Sequence, residues 1–295
     1  MVTTKRPLLG ILYMLLAMSI VPFIDIAAKL IGHDQHVMEA TLGRYVFHFL
    51  WLIPIFLIIR EPIIKPVHQP AGQITRGICL VLTTIFFFMA IRDNNIPDAL
   101  GLVFIAPLLA TLLSPIFLGE KIGIFRVSAS IIGFLGSLIV IKPSGDFNPS
   151  ILWALCASVT FAGYFIATKK LDGGDSPLTS QIITAIVGIV IALPFMLWFW
   201  QTPSTFHLLM MAMMGAASAL GHYLIIVAFR EAEVSLLAPF DYFEILTAAI
   251  YSFIIFGTFP AVNVWIGVAI ITAAGLFISY REYQIARKNT KPSQK

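Results

Sequence analysis

Glu244 stands about ten residues from either end of an apolar run, and Asp241 precedes it by three, which puts both carboxylates on one face of a helix. Two acids in an apolar helix can hold a cationic or zwitterionic group, or a proton. Their structural alternative is an internal pair with Arg44 or His48. Pro239 removes a backbone hydrogen bond just before them and can bend the helix or open a carbonyl. Asp25 follows Pro22 by about one turn, so a kinked helix would aim its carboxylate into a cavity, with Lys29 one turn on as its neutraliser. Arg44 offers five fixed donors that suit a carboxylate, and an Arg44–Glu39 pair is the competing use. His48 and His222 are the remaining ionisable candidates. Trp153, Tyr223 and Tyr242, together with Phe104, Tyr164 and Phe243, could stack on a planar or cationic ligand. With 24 phenylalanines in the chain, packing is the default for any one ring, and Tyr242 stands out because it adjoins Asp241.

These side chains matter because of what surrounds them. The chain has 295 residues, 59% apolar and 12% charged, with a mean hydropathy of +0.92. A water-soluble domain of this size needs far more polar surface, so most of the chain is dissolved in lipid. An ionisable group at bilayer depth costs roughly 2.5–3.5 kcal/mol on insertion scales and needs a partner, a wet cavity or a function. A sliding window of about 20 residues places spans at Leu8–Ile31, His36–Ile59, Gly72–Ile91, Pro97–Leu118, Ile122–Ile141, Pro149–Thr168, Ser176–Trp200, Phe206–Phe229, Val234–Phe256 and Pro260–Tyr280. Lys5 and Arg6 precede the first, but no small-residue cleavage site follows, so that helix is expected to be retained. Cys79 and Cys156 lie in apolar runs and read as packing residues.

Charge placement tests the layout independently. With the N-terminus in the cytoplasm, 15 of the 19 Lys and Arg residues fall on the cytoplasmic side; Lys29, Arg92 and Lys142 fall outside and Arg44 within a span. This asymmetry predicts ten spans with both termini cytoplasmic. The two halves also match each other. At a shift of 140, Leu12, Ala17, Ala27 and Pro54 coincide with Leu152, Ala157, Ala167 and Pro194; at 138, Arg92, Ala110, Ser114 and Gly119 coincide with Arg230, Ala248, Ser252 and Gly257. Because five is odd, a second five-helix copy enters the membrane upside down. The predicted fold is an all-α membrane protein of ten transmembrane helices arranged as two inverted five-helix repeats, 1–143 and 144–285, followed by a basic tail, 286–295. Carriers built this way bind substrate near the midplane between repeats.

The run from Asp98 to Pro107 (DALGLVFIAP), the segment Leu118 to Lys121 (LGEK), the glycines Gly133 and Gly136, and Ile141 to Pro143 resemble the drug/metabolite transporter superfamily, in its ten-span EamA-type branch. In the second half the same resemblance rests on Leu237 to Phe240, Phe256-Gly257, Trp265 to Gly267, Gly275 and Tyr280 to Glu282, and it departs at Thr258, where an acidic residue often stands. Asp25 with Lys29, the Arg76-Gly77 pair and the stretch at Pro239 are similar to bacterial S-adenosylmethionine and riboflavin uptake carriers. The resemblance implies a secondary carrier of a small organic metabolite in a bacterial inner membrane, with S-adenosylmethionine-like cations or zwitterions favoured. Riboflavin uptake and export of amino acids or drugs are the alternatives.

Other activities find less support. His33 and His36 have no third ligand nearby, so no metal is expected. The HExxH, GxSxG, Walker and GxGxxG patterns do not occur, and a membrane-embedded enzyme or a filter-lined channel has no visible constellation. Neither a cofactor nor a nucleic-acid partner is implied. The expected partners are a small-molecule substrate, the bilayer and a coupling proton, with monomer and homodimer both open. The run Gly215 to Gly221 reads as close helix packing.

Overall fold

A computed structural model describes residues 6–32, 34–59, 67–93, 99, 102–141, 152–256 and 262–290. Every regular element among them is helical. Seven helices are long and apolar enough to cross a bilayer, and three apolar helices, Ile105–Leu118, Ile124–Gly136 and Trp265–Phe277, are shorter. Together they fall one to one on the ten stretches read from hydropathy, and the chain is an all-helical, multi-pass integral membrane protein. Large apolar side chains such as Ile116, Val190 and Leu197 point outward, as a lipid solvent allows. The Lys142–Pro149 hinge, Thr258, His33 and most of the Arg60–Ala71 segment lie outside the described residues.

Local chemistry sets the helix ends. Proline opens the helices at Pro7, Pro70 and Pro177, where its missing N–H costs nothing. Ser176 and Ser204 cap their helices by accepting from the N–H groups of Thr179 (3.1 Å) and His207 (3.2 Å). Gly119, at φ +68°, ends span 4 in the left-handed conformation. The last helix, Val262–Thr290, continues ten residues past the apolar stretch that ends at Tyr280.

The breaks in spans 1 and 9 bear on the site. Span 1 consists of Pro7–Ile20 and Pro22–Ile31, joined at Val21. Pro22 has no N–H for the carbonyl of Met18, and the hydroxyl of Thr247 in span 9 donates to that carbonyl instead, at 2.6 Å. The Tyr251 hydroxyl donates to the neighbouring Ser19 carbonyl, also at 2.6 Å. Span 9 consists of Val234–Asp241 and Phe243–Phe256, interrupted at Tyr242. The sequence places a bend at Pro239, but Pro239 lies inside the first half-helix. Its missing N–H affects a carbonyl near the start of the helix, and the interruption comes three residues later. Asp241 therefore ends one half-helix and Glu244 lies in the first turn of the next.

Packing between spans is symmetric under exchange of the halves. Span 1 packs on span 8 as span 6 packs on span 3; spans 1 and 9 meet as spans 6 and 4 do; span 2 packs on span 8 as span 7 does on span 3. The pairs 2 and 7, 4 and 9, and 5 and 10 each join a span to its own counterpart. Consecutive spans alternate direction, so counterparts five apart run oppositely, which is the inverted repeat. The span 2–span 8 contact is close enough to require glycine: a Cβ on Gly215 would lie 2.6 Å from the backbone nitrogen of His48.

Candidate substrate site

A cavity partly open to the exterior lies between spans 1, 2, 3, 4, 6, 8 and 9. Its polar lining is Asp25, Arg44, Thr83, Thr84, His222 and Glu244. The broken spans position both acids: Asp25 lies in the first turn of the second half of span 1, and Glu244 in the first turn of the second half of span 9. A half-helix start presents unsatisfied N–H groups and the positive end of the helix dipole, an environment that favours a carboxylate. The two acids lie within electrostatic range of each other, and Asp25 of Arg44. Neither has an ion-pair partner within 4 Å among the described residues.

Arg44 lines the same cavity and is anchored by three side-chain contacts. Its Nε donates to Ser218 Oγ at 2.8 Å, its Nη1 to Thr84 Oγ1 at 2.8 Å, and its Nη2 meets His222 Nε2 at 3.0 Å. A guanidinium can only donate, so His222 accepts through Nε2 and is a neutral imidazole. Three of the five N–H bonds are used in this way, leaving two for a ligand. The guanidinium is tied to spans 3 and 8, and its Glu39 pairing, weighed from the sequence, does not form; Glu39 lies beside Gln35 and His207. Phe87, Phe88, Phe104 and Phe161 supply an aromatic wall. The cavity thus brings two carboxylates, a guanidinium and four phenylalanine rings into one lining.

The sequence candidates divide accordingly. Asp25, Arg44, His222 and Glu244 share the cavity. The other five do not line it. Asp241 is buried with both carboxylate oxygens unpartnered, and Tyr242 is buried between Phe104 and Gly133. His48 is buried beside Tyr45 with neither ring nitrogen bonded. Trp153 is exposed on the outside of span 6, stacked on Phe86 at 5.6 Å, and Tyr223 packs against the cluster around Leu52, Phe56 and Ile182. Thr83, Thr84 and Ser218 escape a reading by residue type, because hydroxyls in an apolar helix usually bond their own backbone. The two cysteines are free.

Residues 8–142 match the EamA-like transporter family, and residues 148–280 match it again. The chain belongs to the EamA-like transporter family. Among relatives in this family's neighbourhood, the chain is 29% identical over 279 residues to an S-adenosylmethionine uptake transporter of Rickettsia prowazekii, covering 94% of this chain and 95% of the relative. It is 30% identical over 281 residues to one of Rickettsia bellii, covering 95% and 96%. A riboflavin transporter of Vibrio cholerae is 32% identical over 198 residues, 65% of each chain. A solved crystal structure with 17% identity superposes with a TM-score of 0.78 over 92% of this chain and 98% of that one, so the two share a fold.

Proposed function

We propose that this chain is a secondary carrier of a zwitterionic metabolite with a fixed cation, of the S-adenosylmethionine class, working by alternating access between its two repeats. One observation carries the reading: Arg44, Asp25 and Glu244 line a single cavity together with four phenylalanines. Arg44 takes the substrate carboxylate, the acids take the sulfonium or ammonium, and the phenylalanine wall takes the ring system. The relatives named for S-adenosylmethionine uptake support the same class. Asp241, buried with both oxygens unpartnered, is the candidate for a coupling proton. The units 1–143 and 144–285 are the moving parts, with both termini and the 286–295 tail in the cytoplasm of a bacterial inner membrane.

Riboflavin is the second reading, supported by the Vibrio cholerae relative. Its isoalloxazine would suit the aromatic wall but leave both acids without a cation. Counterflow into proteoliposomes separates the two: labelled S-adenosylmethionine should enter saturably against internal unlabelled S-adenosylmethionine, with riboflavin a poor competitor. Exchange of riboflavin without S-adenosylmethionine would replace this reading by the other.

A further inference from the structure

Behind the cavity lies a second group of polar side chains that the cavity does not use. Arg76 of span 3 is 1% exposed, one turn from the cavity-lining Leu80 toward the Pro70 end of its helix. Its Nη2 donates to the Ser180 carbonyl and to Thr184 Oγ1 on span 7. Its Nε and Nη1 are buried with no partner, and no carboxylate pairs with it among the described residues. The guanidinium carbon lies 5.7 Å from the ring centroid of Tyr164, whose hydroxyl is also buried and unpartnered. Tyr164 in turn lies one turn from the cavity-lining Phe161, toward the Lys170 end of span 6. The Pro70 and Lys170 ends are neighbours, since a Cβ on Gly72 would lie 2.8 Å from the Leu171 side chain. Arg76 and Tyr164 therefore lie past the cavity on one side and face each other.

The ring of Tyr164 packs edge-on against His222 at 5.5 Å, and His222 is bonded to Arg44. A continuous line of polar side chains thus runs from the cavity cation to Arg76. What this layer lacks is an acceptor. A buried permanent charge with two idle donor nitrogens, beside the Tyr164 hydroxyl, is costly unless an anion comes to it. Water would satisfy the donors without neutralising the charge.

We infer that Arg76 and the Tyr164 hydroxyl form a second carboxylate station, which receives the anionic end of the substrate after it leaves Arg44. The inference rests on the proposed zwitterion reading and adds a residue to its path. Arg44 captures the carboxylate in the cavity, and Arg76 takes it as the cavity opens on the Pro70 side. Such a station lowers the barrier to passage and contributes little to first capture.

The test uses full-length protein in proteoliposomes and compares Arg76→Lys and Tyr164→Phe with wild type. Lysine keeps the charge but lacks the planar fork; phenylalanine removes the hydroxyl and keeps the ring. The expected result is a fall in kcat for S-adenosylmethionine counterflow of about tenfold in Arg76→Lys and about threefold in Tyr164→Phe. KM should stay near wild type. Inhibition by the decarboxylated analogue, which lacks the group that Arg76 receives, should change less than twofold. Unchanged kcat in both variants overturns the inference, as does equal weakening of substrate and decarboxylated analogue, the signature of a merely structural role. Wild-type protein that fails to exchange S-adenosylmethionine sinks the substrate reading instead.

Discussion

Phe104 and Tyr242, 138 residues apart, place their ring centroids 5.8 Å apart, each at the turn that precedes the second part of its span. Their backbones are nearly the same, φ −68° and ψ 2° at Phe104 against φ −63° and ψ −11° at Tyr242. The separation equals the shift at which the two halves of the sequence align, so the pair marks the axis that relates spans 4 and 9. The equivalence stops at the side chains. Tyr242 is followed by Phe243 and Glu244, while the position matching Glu244 is Ala106, so only one repeat supplies a carboxylate there.

The axis leaves no room on one side of Tyr242. A Cβ on Gly133 would lie 2.5 Å from its ring. Gly133→Ala should therefore cost about 1–3 kcal/mol in detergent-solubilised protein, read as a lower Tm. Gly123→Ala, with nothing within 4 Å of the added atom, should leave Tm unchanged.

The break in span 1 depends on a borrowed donor. Thr247→Val removes the hydroxyl that serves the Met18 carbonyl and should cost about 1 kcal/mol, within the range for interhelical hydrogen bonds in membranes. Pro22→Ala supplies the N–H that proline lacks, letting span 1 straighten and withdrawing Asp25 from the cavity. Its uptake should fall further than its Tm, as paired transport and unfolding measurements would reveal.

Arg44→Lys exchanges a fork that reaches Ser218, Thr84 and His222 for a single ammonium. Its KM for a carboxylate-bearing substrate should rise about tenfold or more, equivalent to losing one charge-assisted hydrogen bond. An unchanged KM would remove Arg44 from the binding site.

His36, one residue ahead of the helix Val37–Ile59, stacks on Phe199 at 4.0 Å and accepts from the Met38 N–H. Burial first, and the Arg92 charge second, lower its pKa below the usual imidazole value. A base with a lowered folded pKa binds more protons when unfolded, so its contribution is present above the unfolded pKa and lost as pH falls through it toward the folded value. Thermal unfolding between pH 7.5 and 5 should show a modest loss of Tm, smaller in His36→Gln.

Much of this architecture was readable in the residues. The ten spans follow from apolar length, and the kink at Pro22 from a missing N–H. Close packing along Gly215 follows from small side chains. The acid-bearing turns were half legible: Pro22 marks one, but nothing in the local sequence marks Tyr242 as the break in span 9, because tertiary packing of its ring decides it. Arg76 reads in sequence as a flanking basic residue, and only the contact with Tyr164 and span 7 reveals its idle donors. Trp153 and Tyr223 have the right chemistry for stacking, but helix rotation, which residue type does not specify, turns them away from the cavity.

The central claim is that Glu244 meets the positive charge of the substrate, and the KM for S-adenosylmethionine counterflow in Glu244→Gln tests it most directly. Glutamine keeps the shape and removes the charge, so KM should rise at least about tenfold, the energy of one charge-assisted contact, in protein that unfolds at the wild-type temperature. A folded Glu244→Gln carrier with the wild-type KM would contradict the account.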